Sequence, residues 1–146
     1  MERLFHMLIY RTFHAQRSYL RPAVTELGLG TGQPKLLTYL SKYGPCSQKE
    51  LASYFEIDPA AVCRMLDTLE RNGFVNRLAG PDRRGGQVQL TDAGRQVQKA
   101  WRDRCRTMEQ TMLQGFSEEE KKAFSDYLSR AYRNLREGQG KEGNLP

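Results

Sequence analysis

Few side chains in this 146-residue sequence stand where they would make or break covalent bonds. His6 and His14 are the only histidines, and they lie on a stretch of helical periodicity that suits structural roles. Cys46, Cys63 and Cys105 are odd in number and form no CxxC pair, which argues against a zinc cluster or a disulfide framework. No glycine-rich phosphate cradle follows a strand, and no nucleophile stands paired with a base. The residues point to neither enzyme activity, nor a cofactor, nor a metal. The chemistry available is recognition. Arg64 can present two N–H groups to guanine, or a charge to phosphate, and Ala60 and Ala61 offer apolar contact to a thymine methyl. Ser47, Gln48 and Lys49 open a helix whose free N–H groups can seat a phosphate. Asp82-Arg83-Arg84 carries guanidinium groups suited to a narrow minor groove. Arg77 and Cys63 complete this set of candidate DNA contacts.

The elements that must position these groups follow from ordinary start and stop signals. Leu4, Phe5, Leu8, Ile9, Tyr10 and Phe13 recur at three- and four-residue intervals and predict a first helix to about Tyr19, with Pro22 and Gly28–Gly32 interrupting the pattern. A second helix is expected from about Gln33 to Tyr43, with Pro34 in its first turn. Ser47-Gln-Lys-Glu50 is a capping box, in which the serine oxygen accepts the Glu50 N–H and the glutamate can reach back. The short helix it opens ends near Phe55. Asp58-Pro59 starts the next one, whose Val62, Leu66 and Leu69 share a face and whose Asn72-Gly73 supplies the stop. On this helix Asp67 stands four residues before Arg71, the spacing of an ion pair.

Beyond Gly73 the period becomes extended. Phe74–Leu78 and Gln87–Leu90 read as two strands of a hairpin joined by the long polar loop 79–86. Two longer helices follow. One is capped by Thr91 and carries Val97, Trp101, Met108 and Met112; the other opens at Ser117-Glu-Glu-Glu120 and carries Phe124, Leu128, Ala131 and Leu135. Two short helices, the second leading into a hairpin, is the winged helix-turn-helix order. The expected fold class is mainly α with a small β-hairpin wing (α+β): a winged lobe over 33–90, helical arms at 1–21 and 91–137, and a flexible tail over 138–146.

Charge alone does not argue for DNA. The net charge is +6 and the pI about 9.4, which favours an anionic partner. Residues 58–94, however, hold five basic groups (Arg64, Arg71, Arg77, Arg83, Arg84) and five acidic ones (Asp58, Asp67, Glu70, Asp82, Asp92). Placement therefore has to carry the reading, with Asp58 serving as a cap and Asp82 orienting a neighbouring arginine. A mean hydropathy of −0.71 and a hydrophobic fraction of 38% are low for a chain burying a large core alone. Apolar stripes on the terminal helices are accordingly expected to meet a second subunit. No apolar run approaches a bilayer span and no signal peptide is read, so a reducing cytoplasm and no membrane partner are expected.

The stretches Leu29-Gly-Thr-Gly-Gln-Pro-Lys-Leu-Leu37, Gly44-Pro-Cys-Ser-Gln-Lys-Glu-Leu-Ala52 and Ile57-Asp-Pro-Ala-Ala-Val-Cys-Arg-Met-Leu-Asp-Thr-Leu-Glu-Arg-Asn-Gly-Phe-Val75 carry a family likeness. It continues through Asp82-Arg-Arg84 to Val88-Gln-Leu-Thr-Asp-Ala-Gly94. In this ordered combination the chain resembles the MarR family of bacterial regulators. The resemblance implies a homodimer with intertwined first and last two helices and one winged lobe per subunit. It also implies a pseudo-palindromic double-stranded operator, usually repressed until a small molecule or an oxidant intervenes. Ala60, Ala61, Cys63 and Arg64 fall on the family's recognition-helix positions, and Asp82 and Arg84 on its wing D-x-R pair, with Arg84 entering the minor groove. Cys63 stands where the family commonly has threonine, and Gly85-Gly86 departs from the usual wing.

Three further expectations complete the reading. Tyr10, His14, Arg17, Tyr39 and Tyr43 are candidate lining for an effector pocket where the first two helices meet the lobe. Cys46, just before a helix N-terminus, is the leading candidate for a reactive thiolate, with Cys63 next because it faces DNA. The alternative function is a protein-interaction adaptor that keeps the winged fold without reading DNA.

Overall fold

The computed structural model describes residues 3–78 and 86–142, the side chains of 140–142 excepted. Its elements run α1 (Phe5–Glu26), α2 (Gln33–Tyr43), β1 (Cys46–Ser47), α3 (Gln48–Phe55), α4 (Pro59–Arg71), β2 (Val75–Leu78), β3 (Gln87–Leu90), α5 (Asp92–Met112) and α6 (Glu118–Glu142). The mainly helical winged architecture expected from the sequence is present. By its contacts the chain divides into two units, Met1–Met108 and Glu109–Pro146. No described helix is long and apolar enough to cross a membrane.

Helix α1 departs from expectation by running through Pro22 to Glu26. Proline already has a helical φ and removes one backbone donor, a local penalty that packing can outweigh. Leu20 and Ala23, on either side of it, are buried with Trp101 and Met108 of α5. Beyond the cap residue Leu27, Gly28 has a φ of 72° in the left-handed region, and there the Gly28 and Leu29 N–H groups donate to the Thr25 and Val24 carbonyls.

The core of the lobe lies among α2, α3, α4 and the sheet. Leu36, Leu37, Leu51, Val62, Leu66 and Leu69 are all fully buried, with Val75 and Val88 closing the strand side. Val62, Leu66 and Leu69 repeat at the helical period, so one face of α4 is sealed while the opposite face remains polar.

The sheet is antiparallel with three strands in the order β1-β3-β2, where the sequence announced two. Strand β1 pairs Cys46 with Val88 and Ser47 with Gln87; β2 pairs Val75 with Leu90 through to Leu78 with Gln87. Two residues are too short for a readable alternation, and this pairing partner is distant in sequence. Strand β3 is therefore central rather than an edge.

In the second unit, Ser117 accepts the Glu120 N–H at 3.1 Å and opens α6, and Phe116 meets Phe124 edge-on at 6.1 Å. Residues 138–142, expected in a frayed tail, continue α6 to Glu142 instead. Glycines at 138 and 140 did not stop a helix already propagating, since their cost of about 1 kcal/mol each is not prohibitive near an end.

Candidate nucleic-acid interface

Two helix starts organise the exposed surface of the lobe. Ser47 has an extended backbone, and its Oγ accepts the Glu50 N–H at 3.1 Å, so the serine half of the capping box forms as the sequence indicates. Gln48 is half-buried and Lys49 exposed in the turn that follows. Helix α3 closes at Glu56, which sits at φ 55° and ψ 46°, a left-handed position where a glycine would be relaxed. The Ile57 N–H donates to the Ala52 carbonyl at 3.1 Å, and the chain turns directly into α4. There Asp58 Oδ1 accepts the Ala60 N–H at 3.2 Å, with Pro59 at the first helical position.

This turn fixes which residues face outward. Ala60 and Arg64 are exposed, and Ala61 and Cys63 are half-buried at the margin of the sealed face. The four positions expected to read DNA thus share the outer side of a capped helix. Asp82, Arg83 and Arg84 lie outside the described residues.

Arg77, expected among the DNA contacts, is engaged within the lobe. Its Nη1 donates to Asp67 Oδ1 at 2.6 Å and its Nη2 to the Cys63 carbonyl at 3.0 Å. Its backbone N–H donates to Glu70 Oε2 at 3.1 Å, and its Nε is buried without a hydrogen-bond partner. Asp67, expected opposite Arg71, is bonded to Arg77 instead. The local spacing permitted the first pair, but a strand passing alongside the helix offered a guanidinium with two acceptors to bridge.

The end of α4 and the start of α5 are tied together by Thr91. Its N–H donates to the Phe74 carbonyl at 3.1 Å, and its hydroxyl donates to the Gly73 carbonyl at 2.6 Å while accepting the Gly94 N–H at 3.0 Å. A Cβ placed on Gly94 would stand 2.0 Å from the Phe74 carbonyl oxygen, so no other residue fits without a backbone shift.

The three cysteines are free thiols. Cys46 does not fit the role of reactive thiolate. It is buried in β1, and burial first, then the Glu50 charge, push its pKa up to about 11. The desolvation of a strand inside the core prevails over the neighbouring helix start. Cys63 is half-buried on α4.

The five candidate effector residues fall into two groups. Tyr10 stacks on His14 at 6.2 Å within α1, and Arg17 lies over Phe13 at 5.7 Å. Tyr39 and Tyr43 instead join Tyr54 and Phe55, with Tyr39 4.7 Å from Tyr43 and 4.8 Å from Tyr54 between ring centres. The latter two aromatics were not singled out in the sequence; their signal is that an eight-residue helix carries adjacent rings beyond its buried Leu51 and Ala52. Among the described residues no group of three or more His, Cys, Asp or Glu could hold a metal ion.

The model of the MarR family matches residues 31–84. A Bacillus subtilis HTH-type transcriptional regulator, YwoH, is 32% identical over 121 residues, covering 81% of this chain and 88% of that protein. A MarR family transcriptional regulator from Silicibacter pomeroyi superposes with a TM-score of 0.81 at 29% identity, covering 90% of each chain. A further MarR family regulator, from Listeria monocytogenes and solved with a 26mer DNA, has a TM-score of 0.86 at 22% identity. That match covers 100% of this chain and 99% of the other, and it shows a shared fold.

Proposed function

This chain belongs to the MarR family of transcriptional regulators, and on that premise we propose that it is a homodimeric repressor of a pseudo-palindromic DNA operator, released by a small molecule. Helix α4 carries the reading: Val62, Leu66 and Leu69 seal one face, and Ala60 and Arg64 stand exposed on a helix whose first turn Asp58 fixes. A helix of this form fits a major groove, where its early residues meet base edges. Arg64 takes guanine, Ala60, Ala61 and Cys63 give apolar contact, and Ser47, Gln48 and Lys49 seat phosphate. Asp82, Arg83 and Arg84 supply the minor-groove contact. The Listeria relative with bound DNA supports this assignment through its fold.

The dimer reading is supported by apolar side chains left exposed on both terminal helices: Leu4, Phe5, Leu8, Ile9 and Phe13 near the start, and Tyr127, Leu128, Tyr132 and Leu135 on α6. We assign residues 1–21 and 91–137 to dimerisation and 33–90 to the DNA-binding lobe. The protein acts in the cytoplasm. The effector binds near Tyr39 and Tyr43 or near Tyr10, His14 and Arg17.

The test is binding to a duplex from the gene's own promoter as salt rises. Affinity should fall steeply, with a slope of roughly −0.9 for each phosphate neutralised. Arg84→Ala should weaken binding across sequences, and Arg64→Ala should cost about 1–3 kcal/mol and relax one base preference. Weak binding indifferent to sequence and to both substitutions would overturn the proposal and favour the protein-interaction adaptor.

A further inference from the structure

We propose that Arg77 is a positioning residue, clamping strand β2 to the flank of helix α4 so that helix and wing meet one duplex at a fixed angle. The inference rests on the DNA-binding function proposed above. It assigns Arg77 to the architecture of the reading surface and removes it from the contacts.

The three acceptors that Arg77 engages are the Cys63 carbonyl, the Asp67 carboxylate and the Glu70 carboxylate. Positions 63, 67 and 70 follow the four-and-three spacing of one helix face, next to the 62, 66, 69 row that seals the core. A single residue of β2 therefore grips α4 over two turns. Its guanidinium is planar and pre-organised, so one side chain can bridge a carboxylate and a carbonyl at once.

The side chain of Arg77 is only 29% exposed, and its Nε is buried without a partner. Burying an N–H unpaired is unfavourable, and here that penalty accompanies a guanidinium turned inward against its own chain. With one carboxylate on the guanidinium and a second on the backbone N–H, little charge remains for a phosphate. Position matters too. Arg77 pairs with Val88 and immediately precedes Leu78, the last described residue before the wing segment. Its other anchor, Cys63, adjoins Arg64 on α4. The clamp links the two places from which DNA is contacted.

The experiment measures affinity for the promoter duplex across a salt series with wild type, Arg77→Met, Arg77→Lys, Asp67→Ala and the Arg77→Met/Asp67→Ala double variant. A clamp predicts about tenfold weaker binding for each single variant, from loss of charge-assisted hydrogen bonds, with no change in salt slope. The double variant should also be about tenfold weaker rather than a hundredfold, because both changes break one interaction. Arg77→Lys keeps the charge but cannot bridge two acceptors, so it should bind as poorly as Arg77→Met. Cooperative thermal unfolding, at a somewhat lowered temperature because the bonds lost lie within the fold, would confirm that these variants are folded.

A salt slope lowered by about one per subunit in Arg77→Met, with Arg77→Lys near wild type and Asp67→Ala unharmed, would overturn the proposal and make Arg77 a phosphate contact. The clamp also has a readout without DNA: slow rotation of the Arg77 guanidinium in NMR spectra, accelerated by Asp67→Ala. Fast rotation in wild type would overturn the clamp, whereas a wild type that slows this group yet binds no duplex would overturn the DNA reading alone.

Discussion

Helices α4 and α6 each carry an apolar stripe at helical spacing, and the two stripes end differently. Val62, Leu66 and Leu69 of α4 are fully buried, whereas Tyr127, Leu128, Tyr132 and Leu135 of α6 are exposed. All described side chains of α6 are exposed or half-buried. The first half of α1 repeats the α6 pattern, with Phe5 65% and Ile9 56% exposed. Periodicity thus marks a face that favours burial without naming what covers it. In α4 the cover is the chain's own sheet and neighbouring helices; for α1 and α6 we assign it to a second copy.

The comparison breaks most readily at Leu66. Leu66→Ala should remove about 2–5 kcal/mol of stability in denaturant unfolding, since a sealed site leaves a cavity. Leu135→Ala in a monomeric preparation should cost no more than about 0.5 kcal/mol. Equal losses would show that the two stripes are buried alike. Gly94→Ala comes next, at about 1–3 kcal/mol by thermal unfolding, because its methyl would press on the Phe74 carbonyl. Ser47→Ala removes a single cap and should cost about 1 kcal/mol, read in the same melts.

A sharper contrast uses association in place of folding. Phe5→Ser or Leu128→Ser should shift sedimentation towards monomer at a given concentration while leaving the circular dichroism of the lobe unchanged.

The smallest effect concerns protons. The Cys46 pKa is raised in the folded chain, so its contribution to stability is fully present below the unfolded value near 8.5–9 and is lost as pH rises through about 11. At pH 8 the Cys46 thiol is therefore held protonated, and a maleimide should label it far more slowly than Cys63. Equal labelling rates would show that the strand opens readily.

What the sequence revealed depended on how far apart the determining residues lie. Asp58 with Pro59, Ser47 three residues before Glu50, and Gly73 at its φ of 81° act within a turn, and each could be read directly. The change of period after Gly73 likewise announced β2 and β3. Strand β1 could not be read, because Cys46 and Ser47 become a strand only through Val88 and Gln87. Pro22 misled because packing of Leu20 and Ala23 decides that region. Asp67 had a plausible neighbour in Arg71, and nothing local revealed that Arg77 would be brought to it. The Cys46 thiol was misjudged for the same reason: its helix start is visible in sequence, but its burial is a property of the sheet.

The pairing of Leu78 with Gln87 holds both ends of the segment between them, which joins the outer strand to a strand braced on each side. Lengthening a connection with anchored ends costs only about 0.6 kcal/mol per doubling. Insertions and exchanges there can accumulate across descendants of this gene without endangering the fold. The length and composition of this connection can therefore drift at the periphery of the lobe, while the core that carries it stays under a separate and stricter selection.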